Sequence, residues 1–118
     1  MARQKFMLDA QREQLIANWR ERMKTGKENH QPVVKYFNPM GAATWLLTEL
    51  DPDDDDTAFG LCDLGMGFPE LGYVSLEEIR EIRLPLGLYI ERDEHFAAKK
   101  TIAEYATEAR RLGRIEVC

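Results

Sequence analysis

Carboxylates dominate the side chains that could do chemistry here, and they are concentrated in the middle of the chain. Asp51 is followed by Pro52 and then by Asp53, Asp54, Asp55 and Asp56, and a second group gathers at Glu91, Asp93 and Glu94. Three readings compete for the aspartate run. A calcium loop of the EF-hand type needs glycine at its sixth position and glutamate at its twelfth; counted from Asp51, those places hold Asp56 and Cys62, so the motif fails. A solvated hairpin tip is the ordinary fate of a charge run. The third reading is phosphate mimicry, in which clustered carboxylates occupy a basic cleft built for nucleic acid and gain from the same counterion release.

The remaining reactive types form no catalytic set. Cys62, Cys118, His30 and His95 have none of the short spacings of structural zinc sites, so no metal is expected. His30 falls in a polar loop, and His95, beside Glu91, Asp93 and Glu94, reads as a surface histidine. With fourteen acids in one region, two carboxylates lying close together say little about acid–base work unless a cleft holds them. No enzymatic role and no cofactor are expected on these grounds.

The segment Gly65-Met66-Gly67-Phe68-Pro69-Glu70-Leu71-Gly72 lacks the G-x-G-x-x-G spacing and opens no helix, which argues against a nucleotide loop. Met66, Phe68 and Leu71 could form an exposed apolar patch of the kind that marks a partner surface. In the alternative, which we prefer on sequence alone, Phe68 tucks under the sheet and the glycines only permit the turns.

These groups have to be held by a chain of 118 residues, which is one domain's worth. Its net charge of −5 conceals a division. From Glu49 to Glu94 there are fourteen acids against three arginines, a net −11, whereas residues 1–48 carry +4 and residues 95–118 carry +2. The basic ends lack interleaved aromatics, which argues against direct nucleic-acid binding. The N-terminus has no apolar core of a signal segment and no run is long enough to span a membrane, so a cytoplasmic location is expected.

Hydrophobic spacing places a helix from about Leu8 to Met23, with Leu15, Ile16 and Trp19 on one side and Asp9 as its N-cap. Val33 to Phe37, Thr44 to Leu50 and Thr57 to Leu64 read as strands. Strict alternation sets Trp45 and Leu47 on one face of the second strand and Leu46 and Leu50 on the other. In the third strand Ala58, Gly60 and Cys62 are small, which suggests a helix packed closely over them. Tyr73 and Val74 form at most a short edge strand. Ser75 with Glu78, and Thr101 with Glu104, match the capping-box spacing and open a short helix at Leu76 and a longer one at Ile102 that Gly113 ends. Leu84 to Ile90, with Pro85 and Gly87, reads as an extended arm. The expected fold is α+β, a small antiparallel sheet of three to four strands with the N-terminal and C-terminal helices on one face. It is a single domain: helix and loop over 1–32, sheet and short helix over 33–83, arm and helix over 84–118.

The stretch WLLTELDPDDDDTAFGLCDLGMGFPELGYVSLEEI, followed by LPLGLYIERDEHF and IAEYA, resembles a family of small bacterial proteins known only as a domain of unknown function and commonly encoded on plasmids and integrative elements. The resemblance implies a mobile-element setting, where small acidic proteins often block restriction or CRISPR complexes, and it transfers no catalytic residue. The expected function is therefore inhibition or modulation of a nucleic-acid-handling defence complex. Asp51, Asp53, Asp54, Asp55, Asp56, Glu70, Glu91, Asp93 and Glu94 would face a basic protein surface. The alternative is an accessory protein of plasmid maintenance or conjugation that docks through Met66, Phe68 and Leu71.

Overall fold

The structure, a computed structural model, describes residues 3–116, so Cys118 lies outside the described residues. Helix α1 spans Asp9–Thr25 and is followed by β1 (Val34–Phe37), β2 (Thr44–Leu50), β3 (Thr57–Asp63) and β4 (Glu70–Ser75). Helix α2 (Leu76–Glu81), a 3₁₀ turn at Pro85–Gly87, β5 (Glu91–Arg92) and α3 (Ile102–Leu112) complete the chain. The strands form one antiparallel sheet in the order β4-β3-β2-β1-β5.

Five strands exceed the expected three to four. The fifth is β5 at the end of the arm; β4 is also longer than the expected Tyr73 and Val74, because Glu70, Leu71 and Gly72 pair with Cys62, Leu61 and Gly60 of β3. A preformed neighbouring strand offers every one of these residues a ladder partner, which outweighs their weak local preference. The arm likewise ends in a two-residue strand, with Glu91 and Arg92 opposite Phe37 and Tyr36.

The helices cover both faces of the sheet, not one. Leu15 and Ile16 of α1 and Leu76 and Ile79 of α2 share a core with Trp45 and Leu47, whereas Ile102, Tyr105, Ala106 and Ala109 of α3 pack on Leu46 and Leu61. Neighbouring residues of a strand point to opposite faces, so a β2 apolar at 45, 46 and 47 demands cover on each side. Helix α1 is opened by Leu8, whose N–H donates to the Gln11 side chain at 2.9 Å, and Asp9 is the first helical residue in place of the expected cap.

One irregularity decides what the second face contains. Leu47 lies opposite Gly60 and Glu49 opposite Phe59, so Thr48 is an extra residue, a β-bulge. From that point each side chain of β2 is switched to the other face. Leu50 joins the Leu47 core against the expectation from strict alternation, and Glu49 turns to the face of Phe59 and Leu61. The bulge also explains Gly60, where an added Cβ would lie 2.0 Å from the Leu46 carbonyl oxygen. The adjacent strand, not a helix, requires the missing side chain.

Candidate functional site

Glu49 is completely buried, and its polar oxygens must find their partners within the fold. The compensation comes from α1, which packs mainly along β2 and runs past the point where β1 ends. Asn18 donates to the Thr48 carbonyl at 2.9 Å, covering the backbone exposed by the bulge. One turn later Arg22 Nε reaches Glu49 Oε1 at 2.5 Å, and this bond raises the guanidinium pKa above its ordinary value. The carbon of the same guanidinium lies over the Trp19 ring, 4.9 Å from its centre.

His30 completes the cluster. The segment after α1 folds inward because Asn29 Oδ1 accepts from the Ala103 N–H and the His30 carbonyl from the Ile102 N–H, tying it to the first turn of α3. His30 is therefore only 6% exposed and not a solvent-loop residue as the polar sequence around it suggested. Its Nδ1 stands 3.9 Å from Glu49 Oε2 and its Nε2 stands 3.6 Å from Glu21 Oε2, both beyond hydrogen-bonding distance. His30 Nδ1, His30 Nε2 and Glu49 Oε2 are buried polar atoms that find no hydrogen-bond partner among the described residues. Such orphaned atoms are rare in folded proteins.

Beside this cluster lies a cleft of ≈ 320 Å³. Glu49 and Arg22 form its polar side, with Glu28 and Asn29 at the loop, and Phe59, Tyr73 and Ile102 supply apolar wall. Tyr73 meets both Phe59 and Trp19 edge to face, with ring centres 5.1 and 6.4 Å away. An ion pair, an adjacent imidazole and aromatic walls could bind and orient a polar ligand.

The residues singled out from sequence lie elsewhere. Asp51 to Asp56 cap the β2–β3 hairpin and are committed to it: Asp51 accepts from the Asp53 N–H, and Asp54 from the Asp56 and Thr57 N–H groups and the Thr57 hydroxyl. The Thr57 hydroxyl bond above all holds the Asp54 pKa below the ordinary carboxylate value. Asp55 pairs with Arg12 at 2.7 Å, while Asp56 accepts from the Ser75 hydroxyl and the Glu77 N–H and so opens α2.

The register separates the other acids from this tip. Glu70 lies opposite Cys62 on one outer strand and Glu91 opposite Phe37 on the other, both at the end of the sheet away from the Leu50–Thr57 turn. Asp93 pairs with Lys35 at 3.3 Å and Glu94 accepts from Gln4. The acids thus divide into a hairpin-tip group and groups on the two outer strands. His95 is exposed and its N–H donates to Asp93.

The apolar loop is divided too. Leu71 packs beside Leu46 and Leu61 and also lines the cleft, whereas Met66 and Phe68 are 70% and 80% exposed, so Phe68 does not tuck under the sheet. Buried Asp63 holds the base of the loop, accepting from the Gly65 N–H through Oδ1 and from the Ile115 N–H through Oδ2. Cys62 lies against the Trp45-side core, where burial pushes its thiol up to about 11. Among the described residues, no three His, Cys, Asp or Glu side chains converge as metal ligands, and no helix is long and apolar enough to cross a membrane.

A family model described as "Protein of unknown function (DUF2958)" matches residues 6–116. The chain belongs to the DUF2958 family. No curated protein and no solved structure matches it. The DUF2958 match runs from Phe6, ahead of α1, to Glu116, past α3, and therefore includes the cleft, the aspartate hairpin and the apolar loop in one domain. Sequence reasoning did not single out Glu49 and placed His30 in a polar loop; the signal available was a single carboxylate inside a largely apolar strand, Leu46-Leu47-Thr48-Glu49-Leu50.

Proposed function

We propose that this protein works by protein–protein contact and not by chemistry on a substrate, docking through the loop that carries Met66 and Phe68. The observation that carries the reading is the 80% exposure of Phe68 on a loop fixed at its base by Asp63. Burying such a side chain contributes about 1.5–3 kcal/mol, and a loop already held in place loses little conformational freedom on docking. Leu64, Met66 and Phe68, at alternate positions of this segment, are exposed apolar residues, and exposed Glu70 follows them at the start of β4. That composition suits an apolar recess on a partner whose rim is basic.

The setting we propose is that implied by the resemblance, a plasmid or integrative element, and the partner a nucleic-acid-handling complex of the host whose activity the protein inhibits or modulates. Because the acids fall into separate groups, the electrostatic part of this contact is assigned to Glu70 beside the loop, and the hairpin tip at the other end of the sheet, where Asp53 and Asp54 are exposed, is the competing surface.

The test compares three proteins as bait in a bacterial lysate at low and high salt. These are the unaltered chain, Met66→Ser/Phe68→Ser, and Asp53→Asn/Asp54→Asn. A specific basic partner lost with the serine pair and retained with the asparagine pair supports apolar docking. Retention by the serine pair together with loss by the asparagine pair and in high salt would transfer the role to the hairpin tip.

A further inference from the structure

We propose that the outer edge of β4 pairs with the same edge of a second copy of this chain, joining two sheets into one across a twofold axis at Gly72. This is independent of docking through Met66 and Phe68, which precede β4 and lie outside the paired residues.

The edge is open. β4 ends the sheet order, and its register with β3 fixes where its backbone groups point. The Leu76 N–H donates to the Asp56 carbonyl at 3.0 Å, in step with Val74 opposite Ala58 and Gly72 opposite Gly60. Antiparallel partners alternate between pairs that exchange bonds and pairs that do not, so Gly72 and Val74 bond β3 while Leu71 and Tyr73 turn their N–H and C=O groups outward. The other side of β3 has the same parity, because Thr57, opposite Ser75, gives its carbonyl to the Asp51 N–H of the β2 side. Among the described residues, no backbone group from another segment meets the outward groups of Leu71 and Tyr73.

This edge also lacks the usual protection. Native sheets shield their outer strands by shortness, charge, proline or a bulge. At the opposite edge β5 is only two residues long. β4 has six residues, an unbroken register with β3 and a single charge, Glu70. Tyr73 is 58% exposed, and a Cβ added to Gly72 would meet nothing within 4 Å, so the face beside the middle of the edge is open as well.

Bonding and charge together name a second copy as the occupant. A twofold axis at Gly72 sets Leu71 of each copy against Tyr73 of the other, and every outward N–H and C=O of these two residues is then used. An axis at Tyr73 would set Leu71 against Ser75, the N-cap of α2, whose carbonyl is already taken by the first turn of the helix, and would waste a donor. The axis at Gly72 also lays the Leu71 side chain beside Tyr73 of the other copy, an apolar cross-strand pair of the kind that stabilises sheets. From Leu64 to Ser75 the one charged residue is Glu70, and it falls opposite Val74 of the other copy. At about 3.3 Å per residue the two Glu70 positions stand roughly 13 Å apart along the strands. That exceeds the Debye length of about 8 Å, so two chains of net charge −5 meet here without opposing like charges.

The experiment measures the mass of the full chain by sedimentation equilibrium over a wide concentration range and examines a mixture of ¹³C-labelled and unlabelled chain by isotope-filtered NMR. A monomer–dimer equilibrium is expected, with an intermolecular contact between the α-protons of Gly72 in the two copies, which face each other in a pair that exchanges no bonds. Tyr73→Pro removes an outward donor and keeps the donors that serve β3, so association should weaken at least about tenfold. Tyr73→Lys places a charge on the edge and should also dissociate the dimer, and it decides alone if the proline variant does not fold. Met66→Ser/Phe68→Ser should remain dimeric whether or not it keeps a lysate partner, so the two proposals fail separately. The proposal is overturned if the chain is monomeric at every concentration or if the dimer lacks the Gly72 contact. It is equally overturned if a folded Tyr73 variant associates as tightly as the parent, or if the serine pair dissociates the dimer.

Discussion

Arg22 Nε donates to Glu49 Oε1 across 2.5 Å, and this bond, together with that of Asn18 to the Thr48 carbonyl, joins α1 to the bulge of β2. Its value lies in what its loss would leave behind. Arg22→Ala strands a fully buried carboxylate and should destabilise the fold by about 3–5 kcal/mol, whereas Arg22→Met combined with Glu49→Leu should cost far less, because two well-packed apolar side chains need no partner. Urea unfolding of Arg22→Met, Glu49→Leu and the double variant measures the coupling, with Arg22→Ala unfolded beside them. Equal losses in Arg22→Ala and in the double variant would contradict the account.

Gly60→Ala tests the bulge. The new Cβ would meet the Leu46 carbonyl oxygen at 2.0 Å and the Leu47 Cα at 2.8 Å, both backbone atoms of the adjacent strand, so β2 has to move. A loss at or above the upper end of the usual ~1–3 kcal/mol for overpacking is expected. Gly72→Ala is the control, because an added Cβ there meets nothing within 4 Å. Thermal or urea unfolding of both variants gives the comparison.

Asp54 makes stability depend on acidity in a definite direction. Its pKa is lowered in the folded chain from 3.8, first by the hydroxyl of Thr57 and then by backbone N–H groups, so the folded state favours the ionised form. The resulting stabilisation is fully present above the unfolded pKa and fades as the pH falls through the lower folded value. Asp54→Ala should therefore be less stable than the parent near neutral pH, and the gap should close below the ordinary aspartate range. Urea midpoints measured across the acid limb check this, and a gap that widens on acidification would refute it.

Thr101 is a reciprocal cap. Its hydroxyl accepts from the Glu104 N–H while Glu104 accepts from the Thr101 N–H, and α3 behind it supplies most of the Leu46-side core. Thr101→Ala should destabilise the protein by about 1 kcal/mol. Amide exchange in the first turn of α3, where Ile102 and Ala103 also bond the His30 loop, should rise with it.

Met66→Ser and Phe68→Ser should leave stability within about 0.5 kcal/mol of the parent, since neither side chain is packed in the fold. An unfolding midpoint well below the parent would mean that the loop serves the fold and not a partner.

How much of this was legible in the sequence depends on how far apart the deciding atoms are. The Thr101–Glu104 cap, the glycine stop of α3 and the hairpin at the aspartate run depend on residues a few positions apart, and sequence spacing alone found them. The α2 start was found too, but only Ser75 plays its expected part, and the second partner is Asp56, nineteen residues earlier. The order of the elements likewise pointed to the α+β class, and the positions of the charged residues to the uneven charge.

Tertiary structure alone decided the rest. Whether Thr48 is an extra residue depends on how β2 meets Gly60 and Phe59, and that single offset sends Leu50 to one face and Glu49 to the other. The placement of α3 opposite α1 and α2, the full length of β4 and the burial of His30 against Ile102 follow from pairings between distant segments. Periodicity is a property of one element by itself. It determines which residues share a side, but not which neighbour that side will meet or where a register shift exchanges the two.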